Sequence, residues 1–156
     1  MNRIELLQSR LADAGLDAIL LVNPKNRRWC TGLHSSEGTV LVTRQELFCF
    51  VDSRYIEIAR STVKNATVGL TSLEMPLKAW LTQALGDCHV RRLGFEEDYL
   101  SFAAYQRFSA MTTAELVPAA GILTGLRAAK DAAELASIHK AQAITDEVFT
   151  ELLDFI

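Results

Sequence analysis

The 156-residue chain has only three cysteines and three prolines. Cys30, Cys49 and Cys88 are odd in number and share no recurring spacing, so neither a disulfide framework nor a C-x-x-C site is available. They read as reduced thiols of a cytoplasmic protein. No apolar run approaches the roughly 20 residues of a membrane span. The opening Met1-Asn2-Arg3-Ile4-Glu5 breaks up any signal core with polar and charged groups. A soluble protein without a membrane partner is expected. Excess positive charge is also missing: 16 Lys and Arg face 19 Asp and Glu, for a net charge of −3. That argues against a nucleic-acid partner.

The familiar chemical fingerprints are absent as well. There is no G-x-S-x-G, no Walker A loop and no G-x-G-x-x-G. His34, His89 and His139 stand far apart, and none belongs to an H-E-x-x-H or H-x-E pattern, so no metal site is spelled locally. What is present is an ordinary globular composition, 49% hydrophobic and 22% charged. A chain of this length buries roughly 70% of the surface it exposes when unfolded, and needs no staple.

The hydrophobic pattern alternates between helix and strand. Ile4, Leu7 and Leu11 predict a helix over 3–14, ended by Gly15. The apolar run 18–22, stopped by Asn23-Pro24, reads as a strand buried on both faces. A turn or short helix over 25–30 follows, closed by Thr31-Gly32. Residues 39–43 and 47–51 predict a hairpin with a polar loop at 44–46. Asp52-Ser53 is expected to cap a helix over 54–60. Further strands are expected at 66–70, 93–95 and 116–118. Helices are expected from the Pro76 turn to Leu85, closed by Gly86, and over 101–111. The fold class is therefore α/β, a mixed sheet flanked by helices.

The last thirty residues differ in kind. Three basic residues (Arg127, Lys130, Lys140) meet six acidic ones (Asp131, Glu134, Asp146, Glu147, Glu151, Asp154), which leaves thirteen of each sign elsewhere. Asp131 and Glu134 have capping-box spacing, and Leu135, Ile138, Ala141, Val148, Leu152 and Phe155 make an apolar stripe. The helix is still in phase at Ile156, so the C-terminus is read as a cut. The bare stripe is expected to self-associate.

Two clusters invite chemistry. Glu96-Glu97-Asp98 follows a strand and could hold Mg²⁺, or serve as helix-capping or solvated charge, the more ordinary role. Asp52-Ser53-Arg54-Tyr55 is either an N-cap with an arginine tying down a loop, or a contact for an anion or peptide. The loop 33–38 lies outside any periodic pattern and is expected to be exposed and mobile. It carries the titratable pair His34 and Glu37.

Three stretches together go further. Asn23-Pro24-x-Asn26-x-x-Trp29-x-Thr31-Gly32, Val51-Asp52-Ser53-Arg54-Tyr55, and Arg127-x-x-Lys130-Asp131-x-x-Glu134-Leu135-x-x-Ile138-x-Lys140-Ala141 stand in this order across nearly the whole chain. They resemble the N-P-x-N-x-x-Y-x-T-G, D-[SG]-R-Y and linker-helix segments of the creatinase/prolidase/aminopeptidase P family. Trp29-Cys30 departs from the usual Tyr-Leu, Leu33 to Glu37 vary the G-F-x-G-S loop, and Ala129, Ala132 and Ala133 thin the linker.

The resemblance implies a ribonuclease-H-like mixed sheet over 1–126 and a linker helix over 127–156 leading into a catalytic domain of pita-bread fold. It implies an Xaa-Pro metallopeptidase whose dinuclear Mn, Co or Zn ligands lie beyond this chain, which would itself be non-catalytic and hold no cofactor. It also implies homodimerisation, with His34, Glu37, Asp52, Arg54, Tyr55 and Trp29 as substrate-gating candidates. The alternative is a stand-alone pseudo-peptidase module that binds a protein or peptide.

Overall fold

The computed structural model describes residues 2–155. It divides into two units, 1–123 and 124–156. The first holds one six-stranded sheet: β1 (Ala18–Leu21), β2 (Thr39–Thr43), β3 (Leu47–Val51), β4 (Thr67–Leu70), β5 (Arg92–Phe95) and β6 (Glu115–Pro118), in the order β4-β3-β2-β1-β5-β6. β2 runs antiparallel to both β1 and β3, while β1–β5, β5–β6 and β3–β4 are parallel. Five strands therefore share one direction. Their carboxyl ends form one edge of the sheet, and the amino ends together with the β2–β3 turn form the other.

The helices are α1 (Arg3–Asp13), α2 (Pro24–Thr31), α3 (Ile56–Thr62), α4 (Leu77–Asp87) and α5 (Phe102–Ser109), then α6 (Ala120–Ala128) and α7 (Ala132–Phe155). Alternation along the strands divides the core into two layers. On one face Ala18, Leu20, Leu41, Phe48, Phe50 and Leu93 cluster with Leu81, Ala84 and Leu85 of α4. Phe50 stacks on Trp80 at 5.5 Å, and the indole N–H donates to the Leu70 carbonyl at 2.9 Å. The other face carries Ile19, Leu21, Val40, Val42, Cys49 and Val51, all buried, as are Leu7 and Leu11 of α1 and Ile56 and Ala59 of α3. Each fully buried Leu or Ile contributes about 1.5–3 kcal/mol.

Four local expectations need correction. Asp52-Ser53 do not cap α3, which starts at Ile56 behind Tyr55 with no side-chain cap. Asp52 instead accepts the backbone N–H of Arg54 at 2.9 Å and closes a turn. Gly86 does not end α4. The helix runs on to Asp87, and His89 takes the left-handed position at φ +51°. Pro76 stands at the N-cap of α4 and not within its first turn. Finally, α6 was not expected. Gly121 and Gly125 weaken its intrinsic preference, but Glu97 supplies a remote cap, its Oε2 accepting the N–H groups of Ala119 and Ala120, each at 2.8 Å.

In the second unit, Asp131 and Glu134 form the reciprocal box at the start of α7. The Glu134 N–H donates to Asp131 Oδ1 at 2.8 Å, and the Asp131 N–H to Glu134 Oε2 at 3.0 Å. Along α7, Leu135, Ile138, Ile144, Val148, Phe149, Leu152 and Phe155 are exposed.

Candidate functional site

In an open α/β sheet, ligands meet the carboxyl ends of the strands. At this edge the chain gathers the loop 33–38 and the corner 52–55, underpinned by two buried charged side chains.

The first is Glu96, which is completely buried. It leaves the end of β5 and receives the N–H groups of Val22 at 2.6 Å and Asn23 at 2.8 Å through one oxygen. The other oxygen takes the Asn26 amide at 2.6 Å. Asn23 caps α2 through the Lys25 N–H, and Pro24 occupies the first turn. The Asn-Pro-x-Asn segment is thus a brace between β1, β5 and the start of α2. Its counterpart is Thr31-Gly32: Thr31 Oγ1 accepts the Leu33 N–H at 3.1 Å, and Gly32 adopts φ +73° to end the helix.

The second is Arg27, which sequence reasoning did not single out. The residue is only 4% exposed, and its guanidinium lies beneath the loop. Nη1 donates to Ser35 Oγ at 3.2 Å, and Nη2 donates to the carbonyls of Ser35 at 3.3 Å and Ser36 at 3.2 Å. Among the described residues, Arg27 Nε has no partner. Burial lowers its pKa, while Cys49 and Glu37 pull it back. Cys49 is itself pushed up to about 11 by burial, so it is an inert thiol. Gly38 completes the clamp. At φ +134°, a Cβ there would stand 2.7 Å from Arg27 Nη1. A glycine just before a strand, with an arginine eleven residues earlier in a buried helix, was the one signal available in the sequence.

The outer surface of the edge is polar. Asp52 and Arg54 pair at 2.7 Å, with Arg54 Nε 3.2 Å from both carboxylate oxygens. The Arg54 hydrogen bond holds the Asp52 carboxyl below its ordinary range, and Asp52 in turn raises Arg54. The guanidinium carbon lies 5.4 Å from the Tyr55 ring centroid. The Tyr55 hydroxyl meets Ser36 Oγ at 2.9 Å and accepts the Ser36 N–H at 3.3 Å. These two bonds lower the phenol's pKa. The loop is therefore pinned from below by Arg27 and from above by Tyr55, where sequence suggested a mobile connection. His34 and Glu37 remain exposed on it.

Trp29 stands apart from this group. It is buried, its ring under the Arg3 guanidinium at 5.4 Å and its carbonyl accepting Arg3 Nη1 at 3.2 Å. The Glu96-Glu97 pair does the work of capping: one carboxylate serves α2 and the other α6. Burial pushes the Glu97 carboxyl upward, but the backbone N–H donors, Ala120 and Ala119 among them, together outweigh it and hold the group low. Among the described residues, no group of three or more His, Cys, Asp or Glu could hold a metal ion. No helix there is long and apolar enough to cross a membrane.

The creatinase/prolidase N-terminal domain family matches residues 3–129, and the chain belongs to it. It is 29% identical over 160 residues to the uncharacterized peptidase YqhT of Bacillus subtilis, covering 99% of this chain and 43% of that protein. It is 33% identical to a putative Xaa-Pro aminopeptidase of Mycoplasma pneumoniae, covering 99% of the chain and 42% of the relative. Among solved structures, an Xaa-Pro dipeptidase from Bacillus anthracis superposes with TM-score 0.91 at 28% identity, over 98% of this chain and 42% of that one. The N-terminal domain of cytoplasmic peptidase PepQ from Mycobacterium tuberculosis superposes with TM-score 0.71 at 26% identity, over 80% of this chain and 97% of that one. The chain thus spans about 43% of the length of the first of these curated relatives.

Proposed function

We propose that this chain is the amino-terminal, substrate-gating and oligomerisation part of a cytoplasmic, metal-dependent Xaa-Pro peptidase, and that it performs no hydrolysis itself. The family membership supports this reading, as do the peptidase activities for which the relatives are named. The PepQ relative is named cytoplasmic. The single observation that carries the gating role is the pinned carboxyl edge. His34, Glu37, Asp52, Arg54 and Tyr55 present cationic, anionic and phenolic groups on a surface held rigid from beneath by Arg27.

A peptide terminus carries one unit charge of either sign, and this edge offers a partner for each. The loop and the corner would border the catalytic cleft of the longer protein, or of its dimer partner, and limit the length of peptide that enters. A pair of Mn, Co or Zn ions would belong to the catalytic part. Among the described residues, no donor set fits such a pair. The exposed apolar side chains of α7 favour a homodimer or a further domain of the same protein as their cover.

The test uses the complete reading frame that contains this chain. His34→Ala and Glu37→Ala are expected to lower kcat/KM for Xaa-Pro peptides by about 1–3 kcal/mol of transition-state binding. Unchanged kinetics together with unchanged dimerisation would remove the gating role. Absence of any peptidase activity, with retained peptide binding, would favour the binding module. Metal-stimulated proline release by the 156-residue chain alone would refute its non-catalytic assignment.

A further inference from the structure

The opposite edge of the sheet holds a feature that none of this uses. Between the end of α4 and the α5–β6 connection lies an open cavity of about 590 Å³. Lys78 and Thr82 reach it from α4, His89 and Arg91 from the α4–β5 connection, and Thr112 and Thr113 from the far wall. Buried Leu85 and half-buried Val90 and Met111 make the apolar part of the lining. No carboxylate lines the cavity among the described residues. Asp17 interacts electrostatically with Arg91, but its Oδ2 is committed to the backbone N–H groups of Arg91 and Arg92, and its Oδ1 to Arg44. The side chains of Lys78, His89 and Arg91 make no hydrogen bond or ion pair among the described residues.

A second observation points the same way. His89 follows the C-cap of α4 in the left-handed region, at φ +51°, with the His89 N–H on the Gly86 carbonyl and the Val90 N–H on the Leu85 carbonyl. Glycine takes this position at no steric cost. This helix-ending conformation places His89 at the mouth of the cavity beside Arg91.

We propose that this cavity binds a small phosphate-bearing molecule, its oxyanion held by Lys78, Arg91 and His89 with the threonine hydroxyls, and its remainder lying on Val90 and Met111. Ligand sites of this size, apolar with a few convergent polar groups, are typical of small-molecule pockets. Two cations and several hydroxyls match the several acceptor oxygens of a phosphate better than a single carboxylate.

The experiment titrates the 156-residue chain with inorganic phosphate and pyrophosphate. Sulfate, citrate and chloride at equal ionic strength serve as separate arms, with amide NMR and calorimetry as readouts. Saturable binding is expected, tighter for pyrophosphate, with shifts confined to residues 78–91 and 110–113. Lys78→Ala and Arg91→Ala should each weaken pyrophosphate about tenfold, while Arg107→Ala, outside the lining, should not. His89→Gly should raise the melting temperature by about 2–4 °C while weakening binding. Shifts scattered over the surface, no saturation at about 10 mM, or full affinity in the Lys78 and Arg91 variants would overturn the proposal. Citrate binding as tightly as pyrophosphate would overturn the phosphate assignment.

Discussion

The two edges of the sheet handle charge in opposite ways. At the carboxyl edge, Glu96 and Arg27 are buried beneath the loops and point their hydrogen bonds at backbone and side-chain partners. At the amino edge, Asp17 braces β1 against β5 from a half-exposed position, and Lys78, His89 and Arg91 are left facing an open cavity. A buried charge is tolerable only when it is paired or hydrogen-bonded, so the carboxyl edge is tied together from within. Charges in water carry little such penalty. They fix less structure and remain available to a ligand.

The comparison can be broken most sharply at Glu96. Glu96→Ala strands two backbone N–H groups and the Asn26 amide, and is expected to cost about 3–5 kcal/mol in chemical denaturation. A loss below about 1 kcal/mol would mean that water substitutes for the carboxylate. Gly38→Ala comes next, at about 2 kcal/mol, because its φ is unfavourable and its Cβ would press on Arg27. The same variant should speed amide exchange across the loop 33–38.

On the amino side, Asp17→Asn should cost about 1–2 kcal/mol. The Arg92 backbone N–H is the chief cause of the lowered Asp17 pKa. A carboxyl with a depressed folded-state pKa stabilises fully above its unfolded value, about 4. That stability is lost as pH falls through the folded value. Wild type and Asp17→Asn should therefore differ at pH 7 and converge well below pH 4. Equal differences at pH 7 and pH 2 would assign the effect to packing alone.

The smallest effect is expected for Tyr55→Phe, about 0.5–1 kcal/mol or less, since its bonds to Ser36 are exposed. Its sharper readout is faster exchange of the Ser36 amide. No change there would leave Arg27 as the sole fastener of the loop.

The expected element positions held best where the signal is local. The hairpin 39–43 and 47–51 appears at the predicted residues, because β-branched and aromatic runs flank a polar turn whose Thr43 Oγ1 accepts the N–H groups of Gln45 and Glu46. The Asp131–Glu134 box likewise starts α7 as its spacing predicts. Locality also misled. Asp52 has the chemistry of an N-cap, but Arg54, two residues on, outcompetes the helix for its carboxylate. Of the site, the residues at 34, 37, 52, 54 and 55 were legible as a motif and a loop. The Arg27 clamp left only a faint trace, a glycine before β2 and an arginine eleven residues earlier, and that pattern does not say that the guanidinium lies beneath the turn into β2.

By itself the sequence determined the α/β alternation, the caps of α1, α2 and α7, and the acidic, stripe-bearing character of the last thirty residues. Each depends on interactions within a few positions along the chain. Only the tertiary structure decided that Glu96 and Glu97 cap two different helices, that α6 exists despite its glycines, and that Lys78, His89 and Arg91 share one cavity. Those outcomes rest on groups brought together by the sheet from up to 74 positions away, as the Glu96 bond to Val22 shows. Parallel strands join segments distant in sequence, and local propensity carries no record of which ones will meet.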